Sequence, residues 1–493
     1  MNYHDIVTNQ REYFLHGDCQ KLSTRKAILQ NLKDVILNNI DKLTEAVYKD
    51  LRRNTDNTYI LEIASALQEI DYFLSNIDKW SKDEFVQLTH MTALDSAFLK
   101  KQAKGVVLII APWNYPISMI LLPLIPCLAA GNTAIIKPSE IAPATSKVFY
   151  EIISKHFSPN HITVVEGGVQ ETTDLLKCKF DHIFYTGCPP VAKIIMEAAS
   201  KHLTPVTLEL GGKCPVYVDE DADINITAHR IAWGKWLNCG QTCLAPDYIL
   251  TTEKIKPKLI QAFKQTLKEF YGEDIQASKD YSRIICNRHW NRINDLINKT
   301  KGTILIKEGE PDEKDLFIPP TIIDVSKDDI CMKDEIFGPV LPIITVSSLG
   351  DAIDFINKGE RPLASYIFTR SEIACNRFLR DVISGGCTIN DVIMHLTVDT
   401  LPFGGIGNSG MGRYRGKFGF DTFTHEKAVL KKSFVLESLM KLRYPPMTPQ
   451  KFNSLKKLQS FRISIPSSIP WMTIFGFLGA FMIGYLTSCL SHK

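Results

Sequence analysis

A chain of 493 residues is too long for one simple core and should divide into two or three closely packed domains. Its 57 basic and 54 acidic residues leave a formal net charge of only +3, so no charge excess points to nucleic acid as a partner. The 12 cysteines are scattered through apolar, strand-like surroundings, and Met1-Asn2-Tyr3-His4-Asp5 opens without an early apolar run; both argue for a reducing compartment and free thiols.

Between about Arg25 and Trp80, Ile28, Leu32, Ile36, Ile40 and Leu43 recur at helical spacing, which predicts two or three antiparallel helices. From Gly105 the pattern alternates. Val106–Ile110 reads as a buried strand, and Pro116–Ala130 as a helix with interior prolines closed by Gly131. Thr133–Ile136 is a second strand, followed by Lys137-Pro138-Ser139-Glu140 and a helix over Pro143–His156. Ile162–Val165 and His182–Tyr185 are two further strands, each leading into a helix. Apolar strands alternating with helices imply an α/β fold with a parallel, doubly wound, Rossmann-like sheet, in which ligands bind beyond the strands' carboxyl ends. A second α/β unit follows Gly212, with an amphipathic helix over Ile255–Tyr271 and strands at Ile318–Ile323 and Val340–Ile344.

The C-terminus differs in kind. No charged residue occurs from Ile463 to Ser491, and Trp471–Leu490 is almost continuously apolar, about the 20 residues a transmembrane helix needs. Lys441, Arg443, Lys451, Lys456, Lys457 and Arg462 precede it, while only His492 and Lys493 follow. Basic residues stay on the cytosolic side. The expectation is a single-pass tail anchor with a cytosolic catalytic body, in the endoplasmic reticulum rather than the outer mitochondrial membrane. The basic run Lys451–Arg462 reads either as a short amphipathic helix on anionic lipid or as a solvated linker. The resulting plan is 1–210 for the N-terminal helices and cofactor domain and 211–400 for a catalytic domain. A return and oligomerisation segment (401–446), a basic linker (447–468) and the tail (469–490) complete it.

Leu237-Asn238-Cys239-Gly240-Gln241-Thr242-Cys243-Leu244-Ala245-Pro246 carries the chemistry. Two thiols one helical turn apart, among small and polar residues, make poor core and point to an accessible nucleophile. No His or second Cys pair follows at ligand spacing, so no metal is expected. Upstream, Glu209 closes the apolar strand Val206–Leu210 just before Gly211-Gly212-Lys213. A partly buried carboxyl there has a raised pKa and suits a general base near neutrality.

Six motifs occur in order: Ala111-Pro112-Trp113-Asn114-Tyr115-Pro116, Lys137-Pro138-Ser139-Glu140, Leu208-Glu209-Leu210-Gly211-Gly212-Lys213, Gly240-Gln241-Thr242-Cys243, Glu335-Ile336-Phe337-Gly338-Pro339 and Pro402-Phe403-Gly404-Gly405. From about Arg25 to Pro446 the chain resembles the class 3 aldehyde dehydrogenases, most of all their membrane-anchored fatty aldehyde branch. The resemblance implies that Cys243 adds to an aldehyde carbonyl, giving a thiohemiacetal whose oxyanion is held by the Asn114 amide and the Cys243 backbone N–H. After hydride transfer, Glu209 activates the water that hydrolyses the thioester. It further implies that Lys137, Glu140, Gly187, Cys188, Glu335 and Phe337 bind the cofactor. A carboxylate at Glu140 favours a free ribose 2′-hydroxyl, hence NAD, while Lys137 leaves NADP open. Class 3 relatives imply a homodimer.

One segment departs from the family pattern. After Phe184-Tyr185-Thr186-Gly187 the chain reads Cys188-Pro189-Pro190-Val191-Ala192, where relatives have small residues and a Gly opening the helix. Two prolines remove two N–H donors from a helix start that would bind phosphate, and Ala192 in place of Gly adds a methyl. Weaker or altered cofactor binding is the expectation. Gly405-Ile406-Gly407-Asn408-Ser409-Gly410 matches a dinucleotide fingerprint, but it follows no clear strand and reads as a flexible loop near the substrate entrance.

The sequence therefore predicts an NAD-dependent oxidation of medium- to long-chain aldehydes at a membrane. Two other readings stand beside it: a coenzyme A-acylating relative, and a membrane-tethered binding protein that has lost turnover.

Overall fold

Strands buried on both faces alternate with amphipathic helices, and that alternation builds two parallel sheets. The computed structural model describes residues 2–89, 92, 95–432, 434, 437–460 and 464–465. They form two compact units, one from residues 2–80 and 103–424, the other from the described residues of 81–102 and 425–465.

The larger unit opens with helices α1 (Tyr3–His16), α2 (Leu22–Leu37), α3 (Ile40–Leu51) and α4 (Ser65–Trp80). A π-helical turn, Tyr59–Ala64, leads into α4. Helix α1 was not legible in the hydropathy pattern, since it buries only Val7 and the polar Gln10. The Gln10 amide is tied down by the carbonyls of Ala134 and Pro159.

The first sheet is built from β1 (Val106–Ile110), α5 (Ser118–Ala130), β2 (Thr133–Lys137), α6 (Pro143–His156), β3 (Ile162–Val164), α7 (Val169–Leu175), β4 (His182–Gly187), α8 (Pro189–Ser200) and β5 (Val206–Leu210). Strands β1 and β2 are buried at every position, as their unbroken apolar runs require. Helix α5 starts two residues later than the sequence suggested. It keeps Pro123 and Pro126 inside and is closed by Gly131 at φ 93°. The strand order is β3-β2-β1-β4-β5, all parallel, so the chain reverses direction of growth between β1 and β4. A crevice opens at such a switch point.

The second sheet follows: β6 (Pro215–Val218), α9 (Ile224–Trp236), β7 (Tyr248–Thr251), α10 (Lys256–Tyr271), α11 (Asn287–Lys299), β8 (Thr303–Lys307), β9 (Thr321–Asp324), β10 (Val340–Thr345), α12 (Leu349–Lys358), β11 (Ala364–Phe368), α13 (Glu372–Asp381) and β12 (Gly386–Ile389). Its order is β8-β9-β10-β7-β6-β11-β12, with β8 antiparallel at the edge. The run expected as a strand from Ile318 begins only at Thr321, because Pro319 and Pro320 have no N–H to give a ladder. The chain then returns to the first sheet: β13 (Gly410–Met411) pairs antiparallel with β5, setting Gly410 opposite Glu209. Helix α14 (Gly416–Thr422) closes the unit.

The smaller unit carries a three-stranded sheet of Glu84–Phe85, Ser96–Ala103 and Thr424–Lys431. The basic run expected as helix or linker is helical over Pro449–Ser460. No helix among the described residues is long and apolar enough to cross a membrane. The expected tail, 469–490, lies outside the described residues.

Candidate active site

A cleft of about 1940 Å³ lies within the larger unit, at the carboxyl ends of β1, β4 and β5, and the nine residues singled out in the sequence all line it. Its lining is more apolar than polar, and among the charged groups that reach it the buried Glu209 and Glu335 carboxyls are strongly perturbed.

The loop carrying Cys243 leaves α9 through an unusual turn. The two thiols, one helical turn apart by spacing, do not share a helix. Asn238, Cys239 and Gly240 take left-handed φ values of 51°, 56° and 75° in succession. Outside glycine that conformation costs about 1–2 kcal/mol per residue, and the surroundings hold it in place. A Cβ on Gly240 would collide with the Gly338 carbonyl. The Asn238 amide donates to the Asn114 carbonyl at 2.9 Å, and Gln241 bridges the loop to Arg283 and Ile285. Cys239 is fully buried, while Cys243 is half-buried at the cleft.

Asn114, in the loop that follows β1, donates one amide hydrogen to the Gln241 carbonyl at 3.0 Å. An amide nitrogen has two hydrogens, which leaves one for a bound oxygen. The Cys243 N–H meets no other acceptor among the described residues. Burial pushes the Cys243 thiol up to about 12, with the Glu335 and Glu209 carboxyls adding to the shift and the Cys243 and Leu244 N–H groups opposing it. The resting group is therefore a thiol.

Glu209 is buried, and neither carboxyl oxygen has a hydrogen-bond partner among the described residues. Burial alone holds its pKa well above the usual carboxylate range. Glu335, on the loop before β10, is raised to about 8 by burial and by Asp247; the Gly212 N–H, Lys213 and Arg292 pull the other way. Its side chain occupies the space a Cβ on Gly211 would fill, which explains the first of the two glycines after β5. Phe337 sits at φ 48° and meets Trp113 edge to face at 5.4 Å.

At the ends of β2 and β4 the groups are arranged differently. The Lys137 ammonium donates to the carbonyls of Pro138 at 2.6 Å and Gly167 at 2.5 Å, and to Glu140 at 3.3 Å. All three of its hydrogens are used. Glu140 keeps an exposed carboxylate. Gly187 is required because a Cβ there would meet the hydroxyl of Tyr185, which folds back over the turn. Cys188 precedes α8, whose first two positions are Pro189 and Pro190. Ala192 is buried in the core beneath the helix and is not part of the cleft wall, so its methyl does not stand between a ligand and the backbone. That corrects the expectation for Ala192, whereas the loss of two donors at the prolines is as expected.

The loop from Gly405 is not free. It forms a short turn over Gly407–Ser409 with Ser409 buried, and Gly410 packs so closely on β5 that a Cβ would meet the Leu208 carbonyl.

Several residues at the site carried no sequence signal of their own. Lys213 pairs with buried Asp247 and also donates to the Cys331 and Asp334 carbonyls, and Asp247 accepts the Ile336 N–H, so the pair clamps the Glu335 loop. Arg53, fully buried, pairs with Glu62 and donates to the Asn114 carbonyl. His289 faces Trp113 across 5.0 Å, and its pKa falls to about 4 through burial and the nearby Arg292 and Arg288. Only Lys213, inside a quoted motif, was within reach of sequence reading.

Comparison with known proteins agrees with this geometry. The sequence pattern of the Aldehyde dehydrogenase family matches residues 3–429. Aldehyde dehydrogenase family 3 member A2 of Macaca fascicularis is 46% identical over 446 residues, covering 90% of this chain and 91% of its own. The rat protein named "Aldehyde dehydrogenase, dimeric NADP-preferring" is 46% identical over 443 residues, covering 90% and 97%. Among solved structures, the substrate-bound state of Staphylococcus aureus AldH superposes with a TM-score of 0.89 at 43% identity, covering 92% of this chain and 98% of that one. A nucleophile loop, an orphaned acid and a nucleotide crevice on one doubly wound scaffold, together with these likenesses over nine-tenths of the sequence, place the chain in the aldehyde dehydrogenase family, in its class 3 branch.

Proposed function

We propose that this enzyme oxidises medium- to long-chain aliphatic aldehydes to carboxylic acids with NAD(P) at the bilayer surface. The observation that carries the catalytic part is the joint exposure of Cys243, Asn114 and Glu209 to one largely apolar cleft. An apolar wall including Met119, Leu122, Trp233 and Met394 suits an alkyl chain.

The residues fit a dinucleotide. Glu209 and Glu335 have buried oxygens with no partner among the described residues, and Glu140, paired to Lys137 through one oxygen, keeps an exposed carboxylate for a ribose hydroxyl. Lys137, with its donors already taken, is a poor receiver for a 2′-phosphate, which favours NAD. When bound, NAD(P) supplies the hydride acceptor. Cys243 gives up its thiol proton to cleft water and adds to the aldehyde carbonyl, and the second Asn114 amide hydrogen with the Cys243 N–H stabilises the oxygen that becomes negative. Glu209 takes the proton from the water that cleaves the thioester, for which its unpaired oxygens and raised pKa are suited. A water-activating acid at the thioester favours hydrolysis over transfer to coenzyme A.

The membrane part rests on sequence: an uncharged, apolar run from Trp471 to Leu490 behind a basic segment. It supports a tail anchor, a cytosolic catalytic body and the endoplasmic reticulum as destination. A homodimer is proposed by analogy with the dimeric rat relative, and size-exclusion chromatography with light scattering tests it.

The deciding experiment follows NADH at 340 nm with hexadecanal and purified protein beside Cys243→Ala. Turnover lost in the variant supports the proposal. Absence of turnover in both, with folded protein, favours a binding protein, and a product that becomes an acyl-coenzyme A when coenzyme A is added favours the acylating reading.

A further inference from the structure

A buried arginine stands at the cleft in a backbone conformation that suits glycine. Arg415 sits at φ 80° and ψ 136°, a region that residues with a Cβ rarely adopt, and only 4% of its surface is exposed. It lines the cleft beside Tyr414. Its Nη2 lies 3.3 Å from Glu69 Oε2 and 3.7 Å from Asp399 Oδ1. Neither Glu69 Oε2 nor Arg415 Nε has a hydrogen-bond partner among the described residues. Burial holds the Glu69 pKa above the usual carboxylate range, and Arg415 and the Gly416 N–H only partly offset it. Strain and an under-satisfied buried charge cost stability, and such features collect where a site depends on them.

The elements joined at this corner give it a use. Glu69 belongs to α4 and is fully buried; Ser65 and Gln68 of the same helix line the cleft, as does Ala64 just before it. Asp399 belongs to the loop after β12, from which Met394, Leu396 and Thr397 line the same cleft. Arg415 therefore ties two separate stretches of wall through one guanidinium nitrogen. Gly416 repeats the tie in the backbone. Its N–H donates to Glu69 Oε1 at 2.9 Å, and a Cβ there would meet both the Tyr72 ring of α4 and the Asp399 carbonyl. On the aldehyde reading of the cleft, we propose that Arg415 is a positioning residue for the substrate's alkyl chain. By tying α4 to the loop over Met394–Thr397 through Glu69 and Asp399, it sets how closely these walls pack on the methylenes, and hence the chain-length preference. Each methylene held against an apolar wall is worth roughly fourfold in binding, so long chains register a change in the gap most strongly.

The test is the ratio of kcat/KM for decanal to that for hexanal, followed as NADH formation by the full-length protein in detergent. The two aldehydes present the same carbonyl, and decanal adds four methylenes. Asp399→Asn releases the loop side and keeps the buried pair of Arg415 with Glu69, whereas Arg415→Met releases both sides. The ratio should fall about threefold in the first and about tenfold in the second, roughly the contact of two methylenes. The loss should fall on KM for decanal, with kcat for the two aldehydes changing in parallel. Arg415→Lys, which keeps a charge between the two carboxylates, should restore most of the ratio. If Arg415→Met does not fold, Asp399→Asn alone decides. An unchanged ratio, or kcat/KM lost equally for both aldehydes, overturns the proposal and leaves the corner a support of the fold. If the parent oxidises neither aldehyde, the aldehyde reading of the cleft itself fails, and this proposal falls with it.

Discussion

Glu209 has both carboxyl oxygens buried without a partner, and burial is the sole cause of its raised pKa. A base in that setting is protonated at low pH and becomes effective only as pH rises through the folded-state pKa. Turnover is therefore expected to climb as pH rises above the ordinary carboxylate range, and in Glu209→Gln that limb should flatten while kcat falls about 10²- to 10⁴-fold. Because the amide leaves Cys243 intact, a first burst of NADH should survive, with the acyl-enzyme accumulating; a lost burst would place Glu209 in the first half-reaction. The same shift has a stability consequence with a definite sign. The folded state binds a proton that the unfolded state releases above about pH 4.3, so this carboxyl destabilises the fold increasingly as pH rises. Relative to the parent, the Tm of Glu209→Gln should improve between pH 5 and pH 8, and a constant difference across that range would contradict the assignment. Asn114→Ala removes one oxyanion donor and is expected to lower kcat about a hundred- to a thousandfold. Its alkylation by iodoacetamide at Cys243 should stay near the parent rate, since that reaction develops no oxyanion.

At the scale of elements, the oxyanion wall is held by a pair far away in sequence. Glu62, in the π-helical turn before α4, accepts the Ile117 and Ser118 N–H groups at 2.7 and 2.9 Å, capping the start of α5, and pairs with Arg53. Arg53 in turn donates to the Asn114 carbonyl at 3.3 Å and lies over the Tyr115 ring at 4.9 Å. Both charges are buried, and breaking such a pair typically costs about 3–5 kcal/mol. Arg53→Met should accordingly lower Tm by several degrees and reduce kcat more than it raises KM. Arg53→Lys, which keeps the charge but not the forked geometry, is expected to recover much of the Tm and little of the kcat. Equal recovery of both would mean that the pair only supports the fold. None of this was legible beforehand. The strands β1, β2 and β10 were readable because both faces are buried and the sequence is apolar throughout. Cys243 was readable because its neighbours are poor core material, Glu209 because a carboxyl closes an apolar strand before two glycines, and Asn114 through the family motif around it. The ties between Arg53 and Asn114, Lys213 and Asp247, and β13 and β5 join residues tens to hundreds of positions apart, with no periodicity to announce them. The left-handed turn at Asn238-Cys239 was equally hidden, since neither residue type demands it.

Across the whole molecule, the cleft and the proposed anchor occupy different parts of the sequence. Every described residue lining the cleft falls between Ile60 and Arg415, inside the larger unit, whereas the apolar run begins only at Trp471. That separation yields a clean expectation for a chain ending at Ile465. With hexanal, a water-soluble substrate, its kcat/KM should match the full-length enzyme within about twofold, because no cleft residue is removed. With hexadecanal offered in vesicles the truncated enzyme should fall behind. Ten additional methylenes bias that substrate toward lipid by about 8 kcal/mol, so an enzyme free in solution meets little of it. Sedimentation with membranes after carbonate washing should be lost at the same time. Two results would separate the roles differently. If the shortened chain still pellets, the basic helix Pro449–Ser460 is sufficient to hold the membrane. If hexanal turnover collapses as well, residues beyond 465 act on the cleft, and the tail is part of the catalytic apparatus as well as its tether.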